Sequence, residues 1–129
     1  MIQAADLQQF TGSESFFRHP LNRKVIYTEG VQYLAKNAGA YWLIDAIASH
    51  LGSEAHRNAA ASDPRIDYLH FWTLCRDDNG GATLVAKADS PEAPFIRQDI
   101  EFTDFPLDKI DIWVGFDGQH WTLYLPSEH

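Results

Sequence analysis

Apolar residues recur at helical spacing in the first half of this chain and at alternate positions in the second. Ala4 to Phe10 predicts a short helix, stopped by Thr11-Gly12-Ser13. The aromatic pair in Ser15-Phe16-Phe17-Arg18-His19-Pro20 runs into a proline that cannot continue a helix. Lys24 to Thr28 is β-branched and aromatic and predicts a short strand. Thr28 then reads as a helix N-cap, with Glu29 in the first turn, where a carboxylate suits the dipole. Val31, Leu34, Ala35 and Ala38 form an i, i+3, i+4, i+7 stripe that Gly39 ends. A second helix places Ala40, Leu43, Ile44, Ile47, Ala48 and Leu51 on one face and stops at Gly52. Tyr41 and Trp42 widen its apolar arc, so it is expected to be the most buried helix.

The segment Gly52 to Pro64 is small and polar and reads as a connector. From Ile66 the period becomes 2. Tyr68 to Arg76 meets Asn79-Gly80 and returns as Ala82 to Ala88. A two-residue turn there pairs Cys75 with Leu84, Thr73 with Ala86 and Phe71 with Ala88, leaving Trp72, Leu74 and Val85 on the other face. Both faces are partly apolar, and pattern alone does not say which one is covered. After a proline-containing turn at Ser90 to Pro94, Ile96, Gln98, Ile100 and Phe102 alternate with Arg97, Asp99, Glu101 and Thr103. Asp104 to Asp108 makes a corner. A final hairpin around Asp117-Gly118 opposes Val114 to Trp121, Ile112 to Leu123 and Ile110 to Leu125. The expected fold is a single α+β domain over 1–129: a helical half (1–51), a connector (52–65) and a β-meander (66–125). Two or three N-terminal helices would pack on one face of a four- to five-stranded antiparallel meander sheet.

Four segments carry a resemblance. They are Phe10-Thr11-Gly12 with Arg18-His19, the run GAYWLIDAIASH from Gly39 to His50, FTDFPLD from Phe102 to Asp108, and LPSE from Leu125 to Glu128. Together they make the chain resemble a bacterial family of small domains of unknown function over nearly its whole length, with 52–90 matching less well. The resemblance implies no particular activity and carries no functional residues over to this chain. It implies members in bacterial chromosomes, plasmids and phage-like elements, and with them an accessory or mobile-element role.

Composition narrows the chemistry. The apolar fraction of 45% is that of a globular domain able to bury a core. Cys75 is the only cysteine, which excludes an internal disulfide and a cysteine-only metal site. MIQAADLQQF has no basic region and carries Asp6 early, unlike a secretory leader, so a reducing, cytoplasmic location is expected. The net charge is −8 and uneven. Residues 1–64 hold six acids and five bases, a net of −1; residues 65–129 hold twelve and five, a net of −7. Without a basic cluster, direct binding to nucleic acid or to an anionic membrane is not expected. A basic protein partner suits the charge better.

Candidate chemistry falls into two groups. Asp45 lies inside an apolar helix, where a carboxylate is costly unless paired or at the edge of the stripe. One reading has it anchoring Arg18 or His19. Another builds a small hydrolase-like enzyme from His19, Asp45 and His50 in a helix–sheet cleft. Asp45 and His50 are five residues apart, about 140° around a helix, which is a poor metal-ligand pair. No metal and no cofactor are expected. The second group is the acidic, aromatic side of the meander: Asp99, Glu101, Asp111, Trp113 and Tyr124, with Arg97 as the one interleaved base. It reads as a docking surface for a protein partner, or for a second copy pairing through Trp113 and Tyr124. The simpler reading is a solvated face. A non-enzymatic binding or regulatory protein is the function this favours.

Overall fold

The computed structural model describes residues 3–10, 15–89 and 92–129; the Thr11-Gly12-Ser13 stop and the Ser90-Pro91 part of the expected turn lie outside them. Helix α1 (Glu29–Ala38) starts where Thr28 keeps an extended backbone and its Oγ1 accepts the Val31 N–H at 3.3 Å. Gly39, at φ 62°, ends it. Val31, Leu34 and Ala35 form the buried stripe. Helix α2 (Tyr41–His50) buries Leu43, Ile44, Ile47 and Ala48, while Tyr41 is exposed. A short 3-10 turn occupies Ala4–Gln9.

The expected connector is largely a third helix, α3 (Glu54–Ser62). Ser53 caps it by accepting the His56 N–H at 3.2 Å, and alanines fill its last turns. The periodic signal was absent for a physical reason. The only side chain α3 buries is His56, not an aliphatic residue. Asp63 then caps a 3-10 turn at Pro64–Asp67, which buries Ile66.

The sheet is larger than expected, and mixed. Its strands are β1 (Phe16–Arg18), β2 (Val25–Thr28), β3 (Leu69–Arg76), β4 (Ala82–Lys87), β5 (Ile96–Ile100), β6 (Lys109–Phe116) and β7 (Trp121–Tyr124). Among the described residues their order is β1-β2-β7-β6-β3-β4-β5, seven strands in place of four or five. Every pairing is antiparallel except β2 with β7, where Val25 lies opposite Trp121. It is not a simple meander. After β5 the chain crosses back, and β6 pairs with β3 on the side opposite β4. That leaves β5, with Arg97 and Asp99 outward, as an edge strand. Strand β1 escaped detection because three residues are too few to show a period of 2.

Register differs in both hairpins. The first closes on a three-residue loop, Asp78-Asn79-Gly80, with the Asp77 N–H donating to the Gly81 carbonyl at 3.0 Å and Gly80 at φ 87°. Cys75 therefore pairs with Thr83 rather than Leu84, and Trp72 with Ala86. One residue of slip exchanges the faces. Trp72, Leu74, Leu84 and Ala86 face the core, while Cys75 is exposed on the other face. The second hairpin is shifted by two, so Val114 opposes Leu123, and an even shift leaves the faces as expected. Its longer loop is stabilised by Asp117 Oδ1, which accepts the N–H groups of Gln119 and His120 at 2.8 and 2.7 Å.

Burial alternates along β3, β4, β6 and β7, as in a sheet covered on one face. Helix residues Leu34, Leu43 and Ile47 join Trp72, Leu74, Leu84, Ile112, Val114 and Leu123 in one core. No helix among the described residues is long and apolar enough to cross a membrane.

Candidate interaction surface

The outward face of the sheet is ordered in rows by strand pairing. One row runs Lys87, Phe71, Trp113, Tyr124 across β4, β3, β6 and β7. The rings are in mutual contact. Phe71 and Trp113 meet edge to face with centroids 5.1 Å apart, and Trp113 and Tyr124 at 6.2 Å. His129 stacks on Tyr124 at 5.8 Å, and the Tyr124 hydroxyl lies 2.9 Å from its Nδ1. Burial raises the Tyr124 hydroxyl pKa, so this group is neutral. The second row is Val85, Thr73 and Asp111; the Thr73 hydroxyl donates to Asp111 Oδ1 at 2.7 Å. The third is Thr83, Cys75 and Lys109, with Lys109 Nζ 4.0 Å from Asp111 Oδ2. Except for Tyr124, His129 and Thr83, these side chains line an open cleft of about 590 Å³.

Asp111, Trp113 and Tyr124 thus share one surface, as their spacing suggested. Asp99 lies on the same face at the β5 edge, held by the Arg97 guanidinium at 3.2 Å and the Thr83 hydroxyl at 3.4 Å. Glu101 falls beyond the end of β5 and is exposed. The structure adds Phe71, Lys87 and Lys109, which β3 brings into line by pairing with β4 and β6. With Arg97, the two lysines make the face charge-mixed rather than acidic with a single base.

The helix-side candidates divide. His19 is buried and its Nε2 lies 2.8 Å from Asp45 Oδ1. Its Nδ1 accepts the N–H groups of Leu21 and Asn22 at 3.2 and 2.9 Å, so the ring hydrogen sits on Nε2 and donates to the carboxylate. Both nitrogens are committed, and neither is free to take a proton from a substrate. Asn22 Nδ2 extends the clasp to the Ala48 carbonyl at 3.1 Å. The pair orders the segment between β1 and β2. His50 joins a different network: its Nε2 is 2.7 Å from Gln98 Oε1 and its ring packs 5.7 Å from Trp72. Ser49 donates to Ala46 within its own helix.

This clasp makes an asymmetric prediction. Asp45→Ala should cost no more than about 1 kcal/mol, because the carboxylate is 65% exposed. His19→Ala, which leaves two backbone N–H groups without an acceptor, should cost about 2–3 kcal/mol. Urea unfolding of the two variants measures the difference, and an equal or reversed ranking would refute the clasp.

The arrangement defines a class: a small α+β domain whose helices back one face of a mixed sheet and whose other face presents packed rings and charge. The chain belongs to the family of unknown function DUF6876, whose model matches residues 1–129. It is also similar to a protein of unknown function from Enterococcus faecalis seen in a crystal structure, with a TM-score of 0.56 and 20% identity. That match covers 89% of this chain and 98% of the other, and shows a shared fold. No curated protein matches. Among the described residues, no group of three or more His, Cys, Asp and Glu side chains is placed to hold a metal.

Proposed function

We propose that this protein is a non-enzymatic binding or regulatory domain that engages a protein partner through the open face of its sheet. The supporting observation is the Phe71–Trp113–Tyr124–His129 row. Its rings stand half-buried or exposed in edge-to-face and stacked contacts that hold them in place. Rings already fixed lose little entropy on docking and supply most of the contact energy of an interface. Asp111, Lys109 and Lys87 at the cleft would set orientation, and the net charge of −8 favours a basic partner at long range. The family resemblance adds a role as an accessory of mobile DNA.

The test is capture from a bacterial host, identification of the captured protein and titration with that protein purified. Trp113→Asp should weaken its binding at least tenfold without shifting the melting temperature by more than a few degrees. Asp99→Lys with Glu101→Lys should slow association, most strongly at low salt. Sedimentation separates a second copy of this chain from another protein as the occupant. If Trp113→Asp binds like the parent protein, the open face is not the docking surface.

A further inference from the structure

Helix α3 is fixed to the sheet through an unusual contact. Its one buried side chain, His56, is 5% exposed and meets a second histidine, His70 of β3, at 0%. The ring centroids are 5.4 Å apart. Trp121 lies 5.1 Å from both rings, Phe95 lies 5.5 Å from His70 and Trp72 lies 5.9 Å from His70. Two imidazoles therefore share a box walled by apolar rings.

Each Nδ1 is occupied by a group that can only donate. The Gly52 N–H reaches His56 Nδ1 at 2.9 Å, and the Trp72 indole N–H reaches His70 Nδ1 at 2.7 Å. Both rings therefore carry their hydrogen on Nε2. Among the described residues neither Nε2 has a hydrogen-bond partner of good geometry, although the Ile66 backbone favours a proton on His56. Two N–H groups offer no lone pairs, so this pair is not a metal site. A further proton has one place to go on each ring, Nδ1, where it would face another N–H. Protonation and these two hydrogen bonds exclude each other.

We infer that α3 is an acid-released cover: a protonated His56–His70 pair is incompatible with the Gly52–His56 bond, so acid favours a state in which residues 53–67 leave the sheet, uncovering Trp121, Phe95 and His70. The rest of the fold would stay in place, because α1, α2 and the sheet hold the main core, while the segment 53–67 buries only His56 and Ile66 and is otherwise tied down by the exposed Arg65–Glu92 ion pair at 2.8 Å. Burial pushes His70 down to about 3 and lowers His56 as well. Of the charged groups that reach the pair, Asp67 favours a proton on His56 and Arg57 opposes it; β3 contributes His70, and β7 and the segment before β5 contribute uncharged rings. Both histidines stay neutral when folded and protonate when released near pH 6.5. The closed state is therefore favoured in full above that pH and loses ground below it, by about tenfold per pH unit for one histidine and a hundredfold for two.

Hydrogen exchange at pH 7.5 and 5.5, corrected for intrinsic rates, reads this directly. Peptides within 53–67 should lose at least tenfold protection at pH 5.5, while those in β3 and β6 keep theirs. His56→Gln retains an acceptor for Gly52 but cannot be protonated, and should cut the acid-driven loss at least tenfold. Should that variant not fold, nitrogen NMR of the unaltered protein must show the Nε2–H tautomer on both rings at pH 7.5; a hydrogen on either Nδ1 overturns the inference. Equal protection of 53–67 at both pH values, or simultaneous loss across the whole chain, overturns the inference.

Discussion

Phe105→Ala is expected to lower the unfolding free energy by about 3–5 kcal/mol, the cost of removing a fully enclosed ring and leaving a cavity. Phe105 lies in the corner between β5 and β6 and is 0% exposed, with its ring edge-on to Trp42 of α2 at 6.5 Å. Its backbone is fixed as well. The Thr103 hydroxyl accepts its N–H at 3.1 Å, and the Arg76 guanidinium donates to its carbonyl at 2.7 Å. The site therefore has little freedom to collapse around a smaller side chain, which places the cost toward the upper end. Leu107→Ala two residues on, at a half-buried position, should cost markedly less. Guanidinium unfolding of both variants at neutral pH is the measurement. A loss below about 1 kcal/mol for Phe105→Ala would mean that the corner does not plug the core as described.

Gly81→Ala is the second large effect, roughly 3 kcal/mol, for the opposite reason of too little room. A Cβ at Gly81 would stand 2.6 Å from the Ile100 carbonyl oxygen and 3.0 Å from that of Glu101. These are backbone atoms, and the Thr103 N–H bonded to the Gly80 carbonyl at 2.9 Å keeps them in place. Relief would have to come from opening the β4–β5 pairing. Gly118→Ala is the comparison, because φ there is 97° but a Cβ would meet nothing within 4 Å. It should show only the cost of a left-handed backbone, about 1 kcal/mol. Equal melting temperatures for the two variants would refute the close approach at Gly81.

The outcome of reading residues alone depended on how local each signal was. Thr28 and Gly39 bound α1 as expected, because a cap acts over three or four residues of the same segment. The stripe of α2 was equally legible. Helix α3 was not, because its contact with the sheet is histidine on histidine. The clasp of Asp45 and His19 could be proposed from a carboxylate in an apolar stripe, but its separation from His50 required the sheet. On the open face, Asp111, Trp113 and Tyr124 followed from alternation within one hairpin. Phe71, Lys87 and Lys109 joined them only through β3 pairing with β4 and β6.

By itself the sequence determined which residues form the two main helices, where most strands run, and that the meander half carries most of the negative charge. Those properties follow from propensity, capping and period, all set by near neighbours. The tertiary structure decided that Trp72 rather than Phe71 faces the helices, that β6 lies beside β3, and that β2 closes the sheet in parallel against β7. A single extra loop residue reverses the faces of a hairpin, and a crossover changes a strand's neighbour without changing its pattern. Both choices are made by how much apolar surface the whole chain can bury at once.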